Sequence, residues 1–161
     1  MFREDQNARA KQIIAQKAAP LIHDGDVIFL DASSTVSFLI PHLEKLKDIV
    51  VITNSPKTSL CLGESKIRNY CTGGQLLIHS LAYVGGETER FISNFNMDIF
   101  LFSSRGYTEG GMITDSSDRE VSAKRAMLQK CRHKLLFGRH QQIGKEICIQ
   151  CLLAEQYCRH H

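Results

Sequence analysis

Short apolar runs, each closed by small polar residues and separated by stretches with helical spacing, constrain this chain more than any other feature of its sequence. Residues 27–31 (Val-Ile-Phe-Leu-Asp) follow Gly25-Asp26 and run into Ala32-Ser33-Ser34-Thr35, after which Phe38, Leu39, Leu43 and Leu46 recur at helical intervals. A few consecutive apolar residues bounded by turn formers make a buried strand, so a strand over 27–31 and a helix over 34–46 are expected. The pattern repeats with a strand over 49–53 and a helix opened by Asn54-Ser55-Pro56. Proline suits the first helical turn there, and Asn54 or Ser55 suits the cap. Strands alternating with helices over about 25 residues each imply an α/β fold, a mostly parallel sheet with helices on both faces.

The remaining segments fit the same plan. Ala10, Ile13, Ile14, Ala18, Leu21 and Ile22 give a leading helix over about 4–23, stopped by Asp24-Gly25-Asp26. Residues 67–71 read as a third strand and Thr72-Gly73-Gly74 as a tight turn that needs glycine's freedom in φ. Residues 76–84 fit either a strand pair or a loop. A short helix around Glu87, Phe91 and Ile92 leads to a buried strand over 97–102 and a polar, glycine-rich loop over 103–111. Val121, Met127, Leu128 and Cys131 give a helix over about 117–131 its apolar face, and 133–138 supplies a fifth strand. With 161 residues and no internal linker or repeat, the chain makes one domain, 1–161.

Composition excludes several classes of function. No apolar run approaches the roughly 20 residues of a membrane helix, and the N-terminus is too polar for a signal peptide, so a cytoplasmic protein with no membrane partner is expected. Twenty basic and 17 acidic residues give a net charge of +3 without a basic stripe, which makes this chain by itself a poor binder of DNA. Of six cysteines, Cys61, Cys71 and Cys131 sit in apolar contexts as reduced core thiols. Cys148, Cys151, Cys158 and His160 have the ligand types of tetrahedral zinc but a spacing that matches no familiar module, so no metal is assigned. There is no Walker loop, dinucleotide fingerprint, nucleophile elbow or His-Glu-x-x-His, and no cofactor is implied. Binding is better supported than catalysis.

In open α/β sheets ligands bind outside the carboxyl ends of the strands, and polar clusters fall at several such ends. They are Asp31 with Ser33, Ser34 and Thr35; Thr53, Asn54 and Ser55; Thr72 with Gly73 and Gly74; the loop carrying Ser103, Arg105 and Gly106; and the segment after Gly138. Asp31 can accept hydrogen bonds from ligand hydroxyls, and the helix start after Ser33 offers amides to an anion. Plain helix capping explains any single junction; five on one edge outline a pocket. Glu120 and Lys124 have the spacing of an ordinary surface pair worth about 0.3 kcal/mol, or alternatively Lys124 reaches a ligand phosphate. His23, His42, His79 and His133 read as surface or loop residues.

The ordered series Leu21-Ile22-x-Asp24-Gly25-Asp26, Phe29-Leu30-Asp31-Ala32-Ser33-Ser34-Thr35, Val50-Val51-Ile52-Thr53-Asn54-Ser55, Thr72-Gly73-Gly74, Gly111-Met112-Ile113-Thr114 and Glu120, Lys124, Arg125, Met127 resembles the C-terminal sensor domain of DeoR-family bacterial transcriptional repressors. It spans about residues 8–144. The resemblance implies a fold similar to sugar-phosphate isomerases and coenzyme A transferases, and a phosphorylated sugar or sugar alcohol as ligand. The family's Asp-x-Gly-Thr-Thr loop falls on residues 31–35, its Thr-Asn-Ser on 53–55, its glycine turn on Gly73-Gly74, and its later acid and base on Glu120 and Lys124. Two positions depart from the pattern. The loop glycine is Ser33, whose side chain narrows the approach to the backbone, and the family's Asp-x-Ser-Lys-Phe-Gly appears as residues 139–144, with Arg139 for the acid and Gln142 for the lysine. The resemblance also implies a homo-oligomer, and DNA contact only through an N-terminal helix-turn-helix module of roughly 60 residues that this sequence lacks. Residues 1–23 then form the linker helix, and 145–161 an atypical tail. The rival readings are an isomerase using Asp31 or Glu120 as base, and an assembly domain without ligand.

Overall fold

The structure is a computed structural model that describes residues 2–103, 106–107, 113–114 and 117–137. Arg105, Arg139, Gln142 and the cysteines of the tail lie outside the described residues. The elements in chain order are α1 (Phe2–Ala18), a 3-10 turn (Ala19–Leu21), β1 (Val27–Leu30), α2 (Ser34–Ser37), α3 (Ile40–Leu43), β2 (Val50–Thr53), α4 (Pro56–Glu64), β3 (Asn69–Cys71), β4 (Gln75–Leu77), β5 (Ala82–Val84), α5 (Gly86–Ser93), β6 (Met97–Ser103), β7 (Gly106–Tyr107), β8 (Ile113–Thr114), α6 (Asp118–Gln129) and β9 (Cys131–Phe137).

Five strands form one sheet in the order β3-β2-β1-β6-β9, and every neighbouring pair is parallel. Strand periodicity sends alternate side chains to opposite faces, which explains the two separate cores. Ile28, Leu30, Val51, Ile99, Leu101 and Leu135 face one way and are covered by Ile14 and Ala18 of α1, Val36 of α2, Leu39 and Leu43 around α3, and Leu62 of α4. Phe29, Ile52, Phe100 and Phe102 face the other way, against Val84 of β5, Ile92 of α5, and Ala123 and Met127 of α6. Phe100 meets Phe29 edge-on with ring centroids 5.2 Å apart and stacks on Phe102 at 4.3 Å. Both faces of the sheet therefore carry helices, as the alternating pattern requires.

Several expectations change. Cys131, expected on the apolar face of a helix over 117–131, is the first residue of β9, because α6 ends at Gln129. The helix expected over 34–46 is broken into α2 and α3 at Phe38-Leu39. Pro41 has no N–H to give to Ser37, so the hydrogen-bond ladder of α2 does not continue, and the proline falls in the first turn of α3, where a missing N–H costs nothing. The loop expected over 103–111 contains β7, which pairs antiparallel with β8, Gly106 opposite Thr114 and Tyr107 opposite Ile113. A two-residue strand has no period to read in a sequence. The open choice over 76–84 resolves as an antiparallel pair, β4 with β5.

Candidate functional site

From β1 the chain moves outward to β2 and β3, then returns past β1 to build β6 and β9 on the other side. The crevice between the carboxyl ends of β1 and β6 is thus the topological switch point, where loops diverge and leave room for a ligand. Asp31, the first residue after β1, occupies it and is 3% exposed. Its backbone N–H donates to Leu101 O, and its carboxylate accepts Ser103 N–H at 2.8 Å on Oδ2 and Ser33 N–H at 3.0 Å on Oδ1. One side chain therefore ties the ends of β1 and β6 together.

Lys124 of α6 brings its ammonium to 3.9 Å from Asp31 Oδ2 and donates to Ser103 O. Its side chain is only 13% exposed, so the solvated surface pair is not what forms; α6 turns this lysine inward over the switch point. Burial pushes the Asp31 carboxyl up from its usual range, opposed by the charge of Lys124 and by the Ser103 and Ser33 hydrogen bonds. A buried carboxyl at the switch point, shifted by desolvation and facing one named cation, makes Asp31 a candidate functional residue.

Glu120 lies one turn before Lys124. Ser117 caps α6 by accepting Glu120 N–H at 3.3 Å, so 117–120 is half of a capping box. The Glu120 side chain, 12% exposed, sits 3.9 Å from His79 Nε2 in the connection between β4 and β5. His79, expected as a surface or loop residue, lies in that exposed connection, and the strand pair brings it against α6. A second tie joins Arg119 to Gln75, at 2.6 Å.

The junction after β2 is fully folded in. Thr53 Oγ1 accepts Ser55 N–H and Ser55 Oγ accepts Thr58 N–H, which caps α4. Asn54 is anchored on β5: its carbonyl accepts Tyr83 N–H at 2.7 Å and its Nδ2 donates to Tyr83 O at 3.1 Å. The turn after β3 has Gly73 at φ 65° and Gly74 at φ 120°, and a Cβ on Gly74 would stand 2.2 Å from Thr88 Oγ1. Glycine is required there for both conformation and space.

Around the start of α2, Ser33 has φ −74° and ψ 147°, an extended backbone open to any residue, so serine in place of the family's glycine strains nothing. Its hydroxyl stands by the Asp31 carboxylate without a hydrogen bond of good geometry. Ser34 Oγ accepts from Lys11 of α1 at 2.7 Å, and Thr35 lies in the first turn of α2. Lys11 was not foreseen, because nothing in its helical spacing distinguishes it from other exposed lysines. Gly106 begins β7 just beyond β6. The structure thus gathers Asp31, Ser33, Ser103 and Lys124 at one point, with Asn54 just after the neighbouring strand β2 and Glu120 one helical turn away.

A groove of about 370 Å³ lies at the opposite edge of the sheet, lined in part by Leu43, Asp48, Lys66 and Arg68. It shares no residue with the switch point. Among the described residues no cluster of metal-ligating side chains and no helix long and apolar enough to cross a membrane is found.

Comparison with known proteins agrees with this architecture. The model of the DeoR C-terminal sensor domain matches residues 6–157. The HTH-type transcriptional repressor GlcR of Bacillus subtilis is 33% identical over 135 residues, covering 83% of this chain and 52% of GlcR. The glycerol-3-phosphate regulon repressor of Escherichia coli is 26% identical over 140 residues, covering 86% of this chain and 56% of the repressor. The chain thus spans just over half the length of these relatives. Among solved structures, ribose 5-phosphate isomerase A of Methanocaldococcus jannaschii superposes with a TM-score of 0.59 at 14% identity, over 83% of this chain and 53% of the isomerase, a likeness of fold alone. With the family model covering nearly its whole length, the chain belongs to the DeoR C-terminal sensor domain family.

Proposed function

We propose that this domain is the effector-binding part of a regulator of sugar metabolism, and that a phosphorylated sugar or sugar alcohol binds at the carboxyl edge of the sheet. The observation that carries this reading is the buried Asp31 at the β1–β6 switch point with Lys124 beside it. A carboxylate and an ammonium in one crevice match the hydroxyls and the anion of such a ligand. Relatives named as transcriptional repressors support a regulatory role. In the full protein, the domain self-associates and DNA is contacted by a helix-turn-helix module outside this sequence. Ligand changes operator binding to the extent that its affinity differs between two arrangements of the subunits.

A thermal-shift screen of phosphorylated hexoses, pentoses and polyols tests the proposal. A ligand at a hundredfold excess over its Kd stabilises by about 2.7 kcal/mol, which is several degrees in Tm for a domain of this size. At least one such compound shifts wild type and fails to shift Asp31→Ala. If none does while another ligand class does, the proposal is wrong.

Isomerase chemistry is favoured by one observation, the upward push of burial on the Asp31 carboxyl. Against it, both Asp31 oxygens accept backbone hydrogen bonds that hold the strand ends together. Turnover of a sugar phosphate that vanishes in Asp31→Asn establishes the enzyme reading; a ligand bound without turnover excludes it.

A further inference from the structure

Asn54 is 6% exposed, and the orientation of its amide is fixed. Nδ2 donates to Tyr83 O at 3.1 Å, and the flipped amide would set two carbonyl oxygens against each other. Among the described residues Oδ1 is then left buried with no hydrogen-bond partner. Buried polar atoms are nearly always paired, so an oriented orphan in a tightly built junction calls for a partner beyond the described residues, a role that a ligand can fill. Its position fits a ligand. Leu30 pairs with Thr53 in the parallel register, which sets Asn54 beside Asp31 at the carboxyl edge of the sheet. Ser33, on the loop after β1, contributes a second buried oxygen without a well-formed hydrogen bond.

We propose that Asn54 reads a hydroxyl of the bound ligand through Oδ1, and so selects for the hydroxylated part of the molecule and against its anionic end. The inference rests on the ligand reading above and adds the orientation of the ligand. An amide oxygen only accepts, so its partner is a donor; the oxygens of a phosphate dianion offer no proton and are repelled. Asp31 next to it is also an acceptor when ionised, and two adjacent acceptors suit the O–H groups of a polyol chain.

The test compares glycerol 3-phosphate, a hexose 6-phosphate and a pentose 5-phosphate with ethyl phosphate, which has the same anion and no hydroxyl, on the full chain by calorimetry. Wild type prefers a hydroxylated ester over ethyl phosphate. Asn54→Ala lowers that preference about tenfold, the worth of one hydrogen bond to a buried partner, with ethyl phosphate affinity unchanged within twofold. Equal weakening of all esters makes Asn54 a mere structural brace on Tyr83, and an unchanged preference gives Oδ1 no part in binding; either result overturns the inference while leaving the ligand reading standing. Failure of every ester to bind wild type sinks both. Because Asn54→Ala can fail to fold, the side-chain amide resonance of Asn54 in wild type supplies a second readout. It shifts on saturation with the hydroxylated ester and not with ethyl phosphate, and absence of that difference also overturns the inference.

Discussion

Removing the Lys124 ammonium is the sharpest test of how the switch point is built. In Lys124→Met the aliphatic stem is largely kept and the charge is lost, leaving the Asp31 carboxylate buried beside a thioether. At the observed 3.9 Å, two unit charges interact by about 4 kcal/mol with an effective dielectric of about 20. Breaking a buried pair by deleting one partner typically costs about 3–5 kcal/mol, in agreement. The full cost appears only while Asp31 is ionised. Burial already raises its pKa above the ordinary 3.8, and Lys124 is the charge that opposes the rise, so the variant raises it further. A folded-state pKa above the unfolded one means that the native state holds more protons in the window between them. Stability therefore falls as pH rises through that window, by at most about 1.4 kcal/mol per pH unit. Urea unfolding of wild type and Lys124→Met between pH 5 and pH 8 measures this directly. The variant is about 2–4 kcal/mol less stable where Asp31 is ionised, and its deficit shrinks as falling pH lets Asp31 take up its proton. Asp31→Asn in the same background flattens the pH dependence. A deficit under about 0.5 kcal/mol, or one independent of pH, refutes the argument that the two side chains form a coupled buried pair.

Two further predictions concern the scaffold. Gly74→Ala places a Cβ 2.2 Å from the hydroxyl of the fully buried Thr88 and 3.0 Å from Val84 O, at φ 120°. The combined strain and overpacking cost about 2–4 kcal/mol in urea unfolding, and a loss below 1 kcal/mol means that the turn has room to move. Burial pushes the Cys131 thiol up to about 12, so almost none of it is thiolate at pH 8. Iodoacetamide labels it in the native protein over a hundredfold more slowly than in urea; equal rates place it in a more open setting.

How far the sequence carried these results depends on the kind of signal each element had. β1, β2 and β6 announce themselves because a strand buried on both faces reads as a continuous apolar run, and Phe29 and Ile28 need only alternate to supply two cores. The break between α2 and α3 was written in Pro41 and was missed because the apolar spacing of Phe38, Leu39, Leu43 and Leu46 runs across it. Asp31 and the Thr53-Asn54-Ser55 junction were legible as polar residues at strand ends. Their partners were not: Ser103, His79 and Lys11 meet Asp31, Glu120 and Ser34 only through sheet order and helix docking, at separations of 72, 41 and 23 residues. Lys124 illustrates the same limit. Its four-residue spacing from Glu120 belongs equally to a solvated helix pair, and only the packing of Ala123 and Met127 against the sheet turns that side of α6 toward the switch point.

The central claim is that ligand binds at the carboxyl edge of the sheet, and backbone amide NMR mapping during titration with the best phosphorylated ester from the thermal screen tests it most directly. The account predicts the largest shift changes at Ser33, Asn54, Thr72, Ser103 and Lys124, saturating with a single Kd and lost in Asp31→Ala. Shifts concentrated instead at Leu43, Asp48, Lys66 and Arg68, around the groove on the opposite edge, contradict it.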